Sequence, residues 1–199
     1  MSRFHTEPQK IRKQISRYEA SLRKEFEKFH CINDGSGKRY LLGPLYMILG
    51  DISGAIKSFE WFAREFEGDC GEPLHTLCWA LALYRSGNMA GAAKKLRDAM
   101  LSNLYILPHI FGKQQSQLDV WHCSNFEEMT YVTQAPSELY KLWDESALQW
   151  AHGLYESNDF RYARERTIEI LRRLKSEPQG TTRIQLVREL FATRDSNPA

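Results

Sequence analysis

Three groups of residues carry types and spacings suited to chemistry. Gly35-Ser36-Gly37-Lys38 has the composition of a loop that cradles phosphate. Such a loop needs G-x-x-x-x-G-K followed by Ser or Thr, placed after a buried strand. Here Arg39 stands where the magnesium-holding hydroxyl belongs, the first glycine is missing, and the preceding residues have helical periodicity. The segment reads as a turn joining two helices. Asn33-Asp34-Gly35 also lacks the alternating oxygen ligands of a calcium loop.

The second group is made of cysteines and histidines. Cys70, His75 and Cys78 lie close together, and His30-Cys31 and His122-Cys123 are adjacent pairs. Structural zinc takes four ligands at recurrent short spacings, and no cluster supplies them, so no metal is expected. There is no C-x-x-C pair, and the four cysteines are expected to be free, buried thiols. No G-x-S-x-G elbow is present, so no catalytic residue is assigned and no cofactor is implied.

The third group is basic. Residues 1–40 hold ten Lys or Arg against five Asp or Glu, whereas the whole chain of 199 residues carries only +2. Arg12, Lys13, Arg17, Arg23 and Lys24 flank an apolar seam of Ile11, Ile15, Tyr18, Leu22, Phe26 and Phe29. Those seam positions advance by three and four, as one face of a helix requires. A solvated face is the plain reading of the cations. The sharper one is a contact surface for nucleic acid or an acidic protein.

The elements that position these groups are helical throughout. With seven Pro and twelve Gly, the chain has few of the residues that an all-β protein spends on tight turns. Periodicity and caps predict helices over 8–30, 38–49, 53–67, 73–86, 90–102, 137–156, 160–175 and 182–192. The last is expected to pack through Ile184, Val187, Leu190 and Phe191. The polar N-terminus lacks the apolar core of an export signal, and no run is long enough to span a membrane, so the cytoplasm is the expected compartment.

Three segments share one template. Leu42-Gly43 and Tyr46 precede the turn Gly50-Asp51-Ile52, then Ala55 and Phe59. Trp79-Ala80 and Leu83 precede Gly87-Asn88-Met89, then Ala92, Leu96 and Ala99. Trp150-Ala151 and Leu154 precede Asn158-Asp159-Phe160, then Ala163, Thr167 and Ile170. Gly and Asn tolerate the left-handed conformation that ends a helix, and the small residues let a second helix approach the first. Each segment is an antiparallel helix pair that cannot bury its apolar face alone.

These segments resemble tetratricopeptide repeats, whose pattern is W-x2-L-G-x2-Y and then A-x3-F over about 34 residues. The first copy reads R-x2-L-G-x2-Y from Arg39 to Tyr46, with Arg39 in the aromatic slot and A-x3-F at Ala55 and Phe59. The resemblance implies an all-α stack of helix pairs, an α-solenoid, forming one domain over residues 1–199. Its parts are an N-terminal amphipathic helix at 8–31 and two repeats at 37–103. An irregular or degenerate repeat at 104–135, a third repeat at 136–175 and a capping helix at 181–192 complete it.

The resemblance also implies a non-enzymatic adaptor with a concave groove for a peptide or partner helix. Carried over residue by residue, the groove comprises Tyr40, Met47, Leu77, Leu81, Tyr84, Arg85, Leu148, His152 and Tyr155. This lining is apolar and aromatic. It is either open to a partner or filled from within by residues 103–135 or the N-terminal helix. The alternative is a nucleic-acid-associated or regulatory protein that works through the basic helix.

Overall fold

The structure, a computed structural model, describes residues 4, 5 and 7–195. Its α-helices run α1 (Pro8–Phe29), α2 (Arg39–Ile48), α3 (Ile52–Glu65), α4 (Pro73–Arg85), α5 (Met89–Ser102) and α6 (Ile106–Ile110). They continue as α7 (Met129–Thr133), α8 (Ser137–Tyr140), α9 (Glu145–Tyr155), α10 (Asn158–Ser176) and α11 (Thr181–Asp195). A 3-10 turn covers Asn125–Glu127, and the described residues contain no strand. None of these helices is long and apolar enough to cross a membrane. The chain divides into two compact units, one of residues up to Ala92 with Pro136–Trp143, the other of Ala93–Ala135 with the chain from Asp144 onward.

In the first unit, α1 begins on Pro8, whose fixed φ suits a first helical turn, and ends at His30 in the left-handed conformation (φ 54°). The 33–37 turn is tied down at both ends. Glu25 accepts from the Asn33 N–H, while buried Asp34 accepts from the Lys38 and Arg39 N–H groups and so caps α2. Helices α2 and α3 approach so closely that a Cβ on Gly43 would lie 2.2 Å from the Phe59 ring. Only glycine fits there.

The turn between them has Gly50 at φ 74°, its N–H donating to Met47 and the Asp51 N–H reaching back to Tyr46. After α4 the arrangement repeats, with Gly87 at φ 83°, its N–H on Tyr84 and the Asn88 N–H on Leu83. Helix α4 packs on α2 and α3, and α1 and α8 pack on α2.

Arg39, in the slot where the repeat pattern places an aromatic, lies 4.3 Å from the Tyr40 ring centre and 4.9 Å from that of Phe66. Its guanidinium pairs with Asp34 and Asp69. Cation–π contact and ion pairing together hold the guanidinium there.

The second unit is centred on a cluster of Leu104, Val120, Ile170, Leu171, Leu174, Leu186 and Leu190. Helix α10 packs on both α9 and α11. Arg97, itself buried, donates to the carbonyls of Thr193 and Arg194 at the end of α11.

Four expectations change. The helix expected over 137–156 is two helices, because Asp144 caps a new one by accepting from the Ala147 N–H. Asn158 does not end a helix in a left-handed conformation. Ser157 caps α10 through its Oγ, and Asn158 is the first helical residue. Helix α11 buries Leu186 and Leu190, leaving Ile184 and Phe191 exposed, since its sequence offers two apolar stripes. The cysteines are free, but only Cys78 is buried; Cys31, Cys70 and Cys123 are exposed.

Candidate functional site

The nine groove residues fall in both units. Met47, Leu77 and Leu81 are buried in the first, where they serve as core. Tyr40 and Tyr84 are half-buried there, and exposed Arg85 donates to the Leu142 carbonyl. The Tyr40 hydroxyl donates to Asp69 at 2.7 Å. Burial, reinforced by that carboxylate, pushes the phenol up to about 12.

In the second unit, Leu148 is half-buried, His152 exposed and Tyr155 buried. The rings of His152 and Tyr155 both meet Phe111, at 5.1 and 5.5 Å. The basic set Arg12, Lys13, Arg17, Arg23 and Lys24 is exposed along α1, as its place beside the seam implies.

Within the Cys/His group, His75 and Cys78 are taken up in packing. His75 is ringed by Phe59, Phe62, Tyr40 and Trp79, at centroid distances of 4.5–6.2 Å. Burial pushes the Cys78 thiol up to about 12, which removes the thiolate that nucleophilic or metal chemistry needs. No group of His, Cys, Asp or Glu among the described residues is placed to hold a metal ion.

A cleft of about 530 Å³ opens instead between α1, α2 and α3. Leu22, Phe26, Ile32, Leu42, Tyr46 and Trp61 form its apolar walls, and Glu19, Arg23, Lys57 and Glu65 stand among its lining. That volume falls in the range of sites that enclose a small molecule or a large anchoring side chain. Its formation follows from where the α1 seam stops being covered. Ile11, Ile15 and Leu22 are buried, but Phe26 and Phe29 are 46% and 58% exposed.

Gly54 shapes the floor, since a Cβ there would sit 2.6 Å from the Tyr46 ring. The Tyr46 hydroxyl donates to Glu19 at 2.6 Å, and burial together with this carboxylate raises its pKa. Trp61 rests edge-on to Phe66 at 5.5 Å, which fixes one wall.

Of the cleft, sequence reasoning singled out Arg23 as a basic-face residue and Phe26 as part of the seam, but did not mark Trp61. The available signal was Trp61 two positions after the inward-facing Phe59, a spacing that turns it to another face of α3.

A second cavity, of about 330 Å³, lies in the other unit beside Tyr105, Lys113, Gln115, Tyr155 and Arg164. Its polar groups are largely engaged. Lys113 pairs with Glu156, Gln115 donates to the Tyr105 carbonyl and Arg164 to that of Tyr155. No protein-family model matches the chain, and neither a curated protein nor a solved structure matches it.

Proposed function

We propose that this chain is a non-enzymatic, tetratricopeptide-like adaptor that binds a protein partner, and that the cleft between α1 and α3 receives the partner's apolar anchor. The observation that carries the reading is the cleft itself, with exposed Phe26 and half-buried Trp61 lining a hollow large enough for an aromatic side chain. Burying a side chain of Leu or Phe size there contributes roughly 1.5–3 kcal/mol. The repeat reading draws support from the matched turns at Gly50 and Gly87 and from the close packing of Gly43 on Phe59. Met47, Leu77 and Leu81 are buried, which favours the α1–α3 side, where Phe26 is exposed, over the expected groove.

A photo-crosslinking residue placed at Glu65, on the rim of the cleft, tests this in the native host extract. Discrete protein adducts are expected from that position and not from Tyr162, which is exposed on α10. The adducts should disappear when Ser58→Trp fills the cleft while helicity stays unchanged. Adducts that persist in that variant would remove the cleft from the function.

A further inference from the structure

We infer that the partner segment seated in the α1–α3 cleft is acidic, so that the cleft selects a negatively charged peptide bearing one large apolar anchor. The inference rests on the adaptor reading above and adds the chemistry of the occupant. Two cations and two carboxylates line the cleft, but they are not equally available. Glu19 already accepts the Tyr46 hydroxyl, and Glu65 accepts from the Arg64 Nε at 3.0 Å. Nearby on α1, Glu25 is spent on the N–H groups of Asn33 and Asp34.

Arg23 and Lys57, one on each side of the cleft, make no ion pair among the described residues. Lys24 extends the positive edge, and Lys28 lies over the exposed Phe29 ring at 4.8 Å. Glu65 is thus paired with a cation and Glu19 is engaged by a neutral hydroxyl, so the lining keeps two available cations against the single charge of Glu19. In such an arrangement the apolar anchor supplies most of the affinity, and the charges set orientation, association rate and choice of partner.

A nucleic acid fits these features less well. The Tyr46 hydroxyl is committed to Glu19, so little is left to read a base edge. A peptide needs only the hollow and the two cations.

The test uses the full chain as bait for a phage-displayed library of random peptides, with the Ser58→Trp chain as the counter-selection decoy. Enriched peptides are expected to be net negative and to share a Leu, Phe or Trp anchor. Synthetic copies should weaken by about tenfold or more when their Asp and Glu become Asn and Gln, a change that needs no altered protein. Arg23→Glu with Lys57→Glu should cause a loss of similar size.

Enrichment of neutral or basic peptides that Ser58→Trp still blocks would overturn the acidic assignment and leave the adaptor reading standing. No enrichment over the decoy would overturn both. A single-stranded oligouridylate that displaces the selected peptides from the wild-type chain, at lower concentration than the peptides themselves, would assign the cleft to nucleic acid and end the proposal.

Discussion

Arg166, Lys175 and Arg97, in the unit around α10 and α11, each reach a protein acceptor, while Arg23, Lys24 and Lys57, in the unit around α1–α4, reach solvent. Arg166 is held by Glu169 and Glu189, Lys175 by Asp119, and Arg97 by the last carbonyls of α11. The contrast lies between these particular residues and the surfaces they line, since Arg39 is paired in the first unit and Arg172, Arg173 and Arg188 are exposed in the second. Apolar side chains divide in a similar way. Leu171, Leu174 and Leu190 meet inside a shared cluster, whereas the α1 seam runs past the end of its cover at Phe26 and Phe29. The small net charge of the whole chain conceals that difference, because internally paired and available cations count alike in a sum.

The comparison is tested most forcefully through the packing of the first unit. Phe59 is fully buried, stacks on Trp79 with centroids 5.4 Å apart, and meets both His75 and the bare face of Gly43. Phe59→Ala is expected to cost about 4 kcal/mol, because glycine and rigid rings around the hole leave little to collapse into it. Urea unfolding measures the loss. Amide exchange locates it, with the greatest acceleration expected in α2–α4. Equal acceleration in α10 and α11 would show that the division into two units has no energetic counterpart.

The contrast between engaged and available cations is sharpened by a matched pair of substitutions. Arg97→Met removes the donors to the Thr193 and Arg194 carbonyls and the charge 3.8 Å from Asp159, and is expected to cost about 3 kcal/mol. Arg23→Met removes the same functional group from a solvated position and should shift stability by less than about 0.5 kcal/mol. Chemical denaturation of the two variants under identical salt provides the comparison. A loss of similar size in both would show that Arg23 belongs to the fold and is not held available for a ligand.

These assignments also show how far the sequence alone reaches. The turns at Gly50 and Gly87 are legible because their backbone demands a residue without a Cβ, and the Gly43–Phe59 contact because only close helices need a bare position there. The break between α8 and α9 is harder to read. Pro136-Ser137 is a strong helix start, and Asp144 supplies a second one within eight residues, with no Gly or Pro to say that the first helix has stopped. Along α11, Ile184 and Phe191 form one apolar stripe and Leu186 and Leu190 another. Periodicity establishes both without choosing between them. The cleft is illegible for a related reason: a helical seam records which residues are apolar, not where the neighbouring helix ends. Phe26 satisfies the α1 pattern as well as Leu22 does, and only the run of α2 and α3 decides that one is covered and the other is left at the edge of a hollow.

The smallest effect concerns the polar network around Arg39 in the first helix pair. Asp69 accepts hydrogen bonds from Tyr40, the Gly71 N–H and Arg39. Burial alone would raise its carboxyl, but these three donors outweigh it and hold the group below its ordinary value. A carboxyl depressed in the folded state stabilises the fold fully above its unfolded pKa of about 4, and the contribution disappears as pH falls through the folded value. Asp69→Asn should therefore lower stability at neutral pH by about 1 kcal/mol, a modest figure because the side chain is partly exposed and screened. The gap between wild type and variant should narrow on acidification below about pH 4, which urea midpoints measured across that range would follow. A gap that stays constant with pH would mean that Asp69 acts through shape alone, and that Arg39 holds its slot by stacking on Tyr40 and Phe66 and not by charge.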